Sequence, residues 1–198
     1  MDKIISRDFF NQAAATWDAT ARNNDPEKLY KMVKRLNLPT DGWILDVGTG
    51  TGVFLPFIQR EVNGKNRLVS MDYAINMLAI AKNKPAGKKG HYLCAEIETL
   101  RFIDGFFDCV ICYSTFPHFH DKPAAIKNIF NILKPGGRLY ICHTASREFI
   151  NQIHINMADF QDHLIPEDEE MRKLILVSGF NDPSIEACAD SYLLTAIK

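Results

Sequence analysis

Asp46 stands next to last in an otherwise apolar run, Trp43 to Val47, and the chain then reads Gly48-Thr49-Gly50-Thr51-Gly52. Glycine is needed where backbone must approach a ligand closely or take positive φ. A helix opening after such a turn offers unpaired N–H groups to a polar or anionic group. About 20 residues beyond Gly52, a second apolar run ends at Asp72, where a carboxylate can accept both hydroxyls of a ribose. The glycines fall as G-x-G-x-G, with Val53 where a dinucleotide fingerprint would place its third glycine. That spacing disfavours a nicotinamide-dependent oxidoreductase.

Five of the six histidines form a second group: His118 and His120 in FPHFHD, His143, His154, and His163 in QDHLIP. Imidazole titrates near neutral pH and ligates metals. Three uses stay open: strand capping or packing without chemistry, a general base or substrate anchor, and a divalent metal site. The metal set would draw on His118, His120, His143 and His154. No compact motif such as H-E-x-x-H is present, so it depends on the fold gathering distant residues. Cys109 and Cys112 form a C-x-x-C, but residues three apart on a strand point to opposite faces, which separates the sulfurs.

The elements that must position these residues alternate between strand and helix, which argues an α/β fold with a mainly parallel sheet. Helices are expected over 6–15, 26–36, 53–62, 74–84, 123–133, 147–161 and 167–178. Strands are expected over 43–47, 67–71, 91–95, 107–113 and 138–143, with Lys134-Pro135-Gly136-Gly137 as the stop before the last. Phe107 to Tyr113 is the most apolar and belongs in the middle of a covered sheet. Asp25-Pro26 caps the second helix. Apolar Ile150, Ile153, Met157 and Phe160 fall at helical spacing, with His154 on the same side. Two final strands, 184–189 and 191–197, make an antiparallel pair around Asp190.

The segment LDVGTGTG resembles motif I of class I S-adenosylmethionine-dependent methyltransferases. Phe9-Phe10 with Trp17-Asp18 is similar to an N-terminal element of the quinone-biosynthesis methyltransferase-like subgroup (methyltransferase domain types 11 and 25). Ala95-Glu96, Phe107-Asp108 and Leu133-Lys134-Pro135-Gly136-Gly137-Arg138-Leu139 match later landmarks in order. The resemblance covers about residues 6 to 143. It implies a three-layer α-β-α, Rossmann-like, seven-stranded sheet in the order 3-2-1-4-5-7-6 with strand 7 antiparallel. It also implies a cofactor, S-adenosylmethionine, and a product, S-adenosylhomocysteine. Gly48, Thr49 and Gly50 would line the amino-acid end, with Asp46 near the ammonium. Asp72 would hold the ribose, and Tyr73, Met77, Ala95, Glu96 and Ile97 would border the adenine. Tyr113 and Ser114 would flank the methionine part, and Phe10 and Trp17 would close a lid. His118, His143 and Tyr113 are then the catalytic candidates. The amine-methylating Asn/Asp-Pro-Pro-Tyr/Phe signature is absent, and Tyr113-Ser114-Thr115-Phe116 stands in its place.

A single domain over residues 1–198 is expected: a helical cap (1–40), a cofactor-binding core (41–145), a helical substrate lid (146–180) and a terminal strand pair (181–198). With no separate substrate domain, the acceptor should be a small molecule. Lys and Arg number 23 against 24 Asp and Glu, a net charge of −1, so no global field favours nucleic acid or an anionic membrane. The basic stretch 82–89 reads as a solvated loop. No apolar stretch approaches the ~18 residues of a membrane span, and MDKIISRDFF carries no signal-peptide core. Five cysteines form no disulfide framework. The expectation is a cytoplasmic monomer or homodimer. The alternative is a non-catalytic protein binding S-adenosylmethionine, a metal or another small ligand on the same fold.

Overall fold

A computed structural model describes residues 3–20, 25–62, 67–88 and 90–198; Lys89 of the basic stretch and the first two residues lie outside these. The chain enters through α1 (Lys3–Ala13), a 3-10 turn (Ala14–Thr16), α2 (Trp17–Thr20) and α3 (Pro26–Arg35). Then β1 (Trp43–Val47), α4 (Leu55–Glu61), β2 (Arg67–Asp72), α5 (Ile75–Asn83) and β3 (His91–Cys94) alternate. They are followed by β4 (Phe107–Tyr113), α6 (Lys122–Ile132), β5 (Leu133–His143), α7 (Arg147–Ile155), α8 (Asp168–Val177), β6 (Asn181–Cys188) and β7 (Ser191–Ile197).

The seven strands lie in the order β3-β2-β1-β4-β5-β7-β6. The pairs from β3 to β5 are parallel, and β7 runs antiparallel to both β5 and β6. This is the expected topology. Strand order reverses between β1 and β4, which opens a crevice at their carboxyl ends, where ligands bind in such sheets.

The sheet is covered on both faces because β1 and β4 are apolar on both. Leu45, Val47, Val110 and Cys112 face a core completed by Ile126 and Ile129 of α6 and Met171 and Ile175 of α8. Ile44, Cys109 and Ile111 face the other, with Leu29 and Val33 of α3 and Leu55 and Ile58 of α4. Cys109 and Cys112 thus lie on opposite faces, and burial raises both thiols. Asp25 caps α3 by accepting from Glu27 N and Lys28 N, with Pro26 next. Asp121 and Ser146 cap α6 and α7 in the same way.

Two expectations are corrected. Residues 134–137 do not precede β5 but bulge from within it. Phe107 pairs with Leu133, while Cys109 already pairs with Arg138. Gly136, at φ 78°, lets the bulge turn. Helix α7 stops at Ile155, short of residue 161. Bonds spanning three residues (Met157 N to His154 O, Phe160 N to Met157 O, His163 N to Phe160 O) then tighten the chain. The reason is tertiary. These turns bring Phe160, 2% exposed, to 4.8 Å from Phe9 and 5.9 Å from Phe10.

Candidate functional site

The loop after β1 is held from below. Thr49 N donates to Met71 O (2.9 Å), and Thr49 Oγ1 donates to Asp46 Oδ2 (2.6 Å). Gly50 N donates to Asp72 Oδ2 (2.8 Å), and Ala74 N to Asp72 Oδ1 (2.8 Å). The two acids therefore build the loop. Burial pushes Asp46 up to about 7, against the Thr49 bond, and its Oδ1 has no partner. Burial likewise pushes Asp72 up to about 6. A carboxylate oxygen has two acceptor sites, so Asp72 keeps capacity for a ligand hydroxyl.

Above this loop lies a cavity of about 100 Å³ that brings the sequence-selected residues together. Phe10, Trp17, Gly48, Thr49, Gly50, Asp72, Tyr73, Met77, Tyr113 and Ser114 all line it. A side cleft adds Ala95, Glu96 and Ile97, shared with Asp72 and Tyr73. Asp46 lies behind the loop, where it anchors Thr49. At Ser114, the residue just after β4, the non-glycine backbone takes φ 51°. That strain is stored at the rim, as functional sites often store it.

The cavity opens, through shared walls of Phe10, Trp17, Val53, Tyr113, Ser114 and His118, into a chamber of about 630 Å³. Its far wall is α7 and the turns after it: Phe149, Ile150, Ile153, Met157 and Phe160. The N-terminal segment roofs both. Phe10 lies 5.4 Å from Trp17, 6.1 Å from Tyr73 and 5.1 Å from His118, ring to ring. Ser6 Oγ and Tyr73 OH are hydrogen-bonded at 2.7 Å, and Asn11 accepts two 3.0 Å bonds from Asn76 of α5, at Oδ1 from the backbone N and at its carbonyl from Nδ2.

His118, His143 and His154 line the chamber; His120 is exposed and lines the side cleft. Burial lowers His118 well below the ordinary histidine range, with neighbouring imidazoles adding to it, and lowers His143 to about 3. His154 is lowered too, mainly by burial. All three are neutral near pH 7. His143 Nε2 is buried without a partner. Tyr113 OH bonds Thr144 Oγ1 (2.9 Å), its ring stacks on Phe54 at 4.2 Å, and burial pushes it up to about 12. Among the described residues, no three His, Cys, Asp or Glu side chains are gathered to hold a metal ion. His118, His120, His143 and His154 therefore form no ligand set in this arrangement.

The chain matches a family described as methyltransferase domain over residues 45–141. It is 29% identical over 148 residues to the ubiquinone/menaquinone biosynthesis C-methyltransferase UbiE of Vibrio cholerae, covering 70% of this chain and 56% of that one. The chain belongs to the class I S-adenosylmethionine-dependent methyltransferases. It spans little more than half the length of the Vibrio cholerae relative. A SAM-dependent methyltransferase from Aquifex aeolicus superposes with a TM-score of 0.70 at 21% identity, over 88% of this chain and 94% of that one. Haemonchus contortus phosphoethanolamine N-methyltransferase 2, in complex with phosphomonomethylethanolamine and S-adenosylhomocysteine, gives 0.72 at 21% identity, over 89% of this chain and 43% of that one. These two likenesses show the fold.

The residues of this methyltransferase domain fit an adenosyl cofactor. A Cβ built on Gly50 would meet nothing within 4 Å, so the cradle has open space beside the loop. Asp72 stands at the end of β2 for a ribose, and the apolar faces of Tyr73, Met77 and Ile97 suit an adenine. Sequence reasoning missed three participants. Thr115 packs so closely that a Cβ on Gly48 would lie 2.0 Å from its Oγ1. Thr51 ties the loop to Asp18 of α2. His163 bonds the ring of His118. Only His163 had a signal, its place in the histidine-rich half.

Proposed function

We propose that this chain transfers a methyl group from S-adenosylmethionine to a small, uncharged acceptor held in the chamber. The observation that carries this is the chamber's composition. Among the described residues lining it there is no Asp, Glu, Lys or Arg, but there are three histidines, Trp17, Tyr113 and four phenylalanines. An acceptor bearing a phosphate, like that in the Haemonchus contortus complex, would meet no basic side chain there among the described residues. A neutral ring-bearing acceptor would bury its faces against the aromatic walls, at about 25 cal/mol per Å² of apolar surface.

When bound, S-adenosylmethionine supplies a methyl group on a sulfonium sulfur that keeps the S–C electron pair on transfer. The protein's part is alignment and proton removal. His118 stands where the two cavities join and serves as the base: its neutral imidazole takes the acceptor's proton as the acceptor's lone pair bonds to the methyl carbon. His143 lines the chamber wall beside it, with its Nε2 buried behind the surface and without a partner. Tyr113, tied to Thr144 and kept neutral by burial, shapes the wall and does not act as a base. Neutral imidazoles also spare a cationic sulfonium from like-charge repulsion.

The test is calorimetric titration with S-adenosylmethionine, S-adenosylhomocysteine and NAD. It is followed by a mass-spectrometric screen of neutral phenols, amines and thiols for methylated product. Both adenosyl compounds should bind and NAD should not. With the acceptor found, His118→Ala should lower kcat by about 10²–10⁴-fold, the usual scale for a general base. Binding of NAD alone would overturn the reading, and unchanged turnover in both His118→Ala and His143→Ala would remove the histidines from it.

A further inference from the structure

His163 is buried (5% exposed) and lines neither cavity, yet both pocket histidines of that wall rest on it. Its ring Nδ1 lies 2.9 Å from His118 Nδ1. Its backbone carbonyl accepts from His154 Nδ1. The rings pack edge to face, His118 on His163 at 5.2 Å and on His154 at 5.0 Å. Phe160 closes the group, 5.5 Å from His118 and 5.0 Å from His163. The His118 side is equally fixed: Lys122 Nζ donates to Pro117 O (3.2 Å) and Phe119 O (3.1 Å) and clamps the 3-10 turn Phe116–His118.

These contacts constrain protons. A carbonyl only accepts, so His154 carries its proton on Nδ1 and leaves Nε2 bare. Burial lowers His163 to about 4 and His118 in the same direction, so both rings are neutral near pH 7. Two neutral imidazoles bonded Nδ1 to Nδ1 share one proton at that contact. We propose that His163 is a positioning residue that accepts the Nδ1 proton of His118 and so holds His118 Nε2 bare toward the acceptor. One residue thereby sets the tautomers of two chamber histidines, one through its ring and one through its backbone. When His118 takes up the acceptor's proton on Nε2, its Nδ1–H bond to His163 becomes charge-assisted, which favours that proton transfer. This rests on the methyl-transfer reading of the chamber.

The test is long-range ¹H–¹⁵N correlation of ¹⁵N-histidine-labelled full chain at pH 7.5 with S-adenosylhomocysteine, signals assigned by single substitutions. In the parent, His118 and His154 should each show an unprotonated Nε2. In His163→Phe the His118 Nε2 signal should shift to the averaged position of mixed tautomers. That of His154 should stay, because its partner is backbone, and it reports intact folding. His163→Asn, which keeps an acceptor near the same place, should restore His118. A proton on Nε2 of His118 in the parent overturns the proposal without any variant, as does an unmoved His118 signal in a folded His163→Phe. Calorimetry of S-adenosylhomocysteine on the same samples reports separately on the methyl-transfer reading.

Discussion

Gly48 and Gly50 stand two residues apart with similar left-handed backbones, φ 67° and 55°, but meet different surroundings. At either, a side chain carries the roughly 1–2 kcal/mol cost of that conformation. At Gly48 it also collides with Thr115, and the loop or the start of the turn after β4 must move. At Gly50 it points into open space that the cofactor is proposed to fill. Gly50→Ala should therefore fold with a small loss of melting temperature but bind S-adenosylhomocysteine at least about tenfold more weakly, the scale of 1.4 kcal/mol. Gly48→Ala should lose clearly more stability. Calorimetric binding and melting of the two variants separate the effects, and wild-type affinity in Gly50→Ala would show that no ligand approaches that residue.

At the scale of elements, α2 is a single turn of four residues, too short to persist unaided. Asp18 holds it by accepting from Thr51 Oγ1 of the glycine loop and pairing with Lys84 Nζ after α5. The two charged side chains are 46% and 31% exposed, so such a pair contributes only about 0.2–1 kcal/mol. Asp18→Asn should leave the fold intact. It should loosen the segment carrying Trp17, speed limited proteolysis near residues 17–20 and weaken S-adenosylhomocysteine binding a few-fold. Unchanged proteolysis and affinity would mean that packing of Trp17 on Phe10 suffices. This latch also shows what could be read in advance. The glycine loop, Asp72 and the Asp25 cap were legible because each leaves a local signature, and the order of strands was legible through the family resemblance. The partner of Asp18 was not, since Thr51 is 33 positions away and a threonine carries no mark of it. The end of α7 was missed for a related reason. The spacing of Ile150, Ile153, Met157 and Phe160 reports which side is buried, and all four do line the chamber. It does not report whether the backbone closes by four-residue or three-residue bonds.

At the scale of the whole molecule, buried titratable groups pull stability in opposite directions. His118, His143, His154 and His163 all have lowered proton affinity when folded. Below about pH 6.5 the unfolded chain takes up their protons and the folded one does not, so stability is lost as pH falls. Asp46 and Asp72 are raised, to about 7 and about 6, so the folded state holds their protons where the unfolded one does not. Their contribution grows as pH falls toward 4 and is lost as pH rises through 6 to 7. Four imidazoles outweigh two carboxylates, so the ligand-free protein should melt progressively lower between about pH 6.5 and 4.5. Asp46→Asn tests the opposing arm. Asparagine can still accept from Thr49 but never ionises. Near pH 4, where the unfolded chain also takes up the Asp46 proton, variant and parent should melt close together. At pH 8 the parent buries a carboxylate with one unpartnered oxygen, and the variant should melt higher. A gain of roughly 1 kcal/mol would appear as about 2–4 °C in a chain of this size. Melting across this pH range checks both arms, and a variant that loses ground to the parent at pH 8 would show that the Asp46 charge is stabilised in the free protein. With S-adenosylmethionine bound, its positive charge near the loop should favour ionised Asp46, so the advantage of Asp46→Asn at pH 8 should shrink.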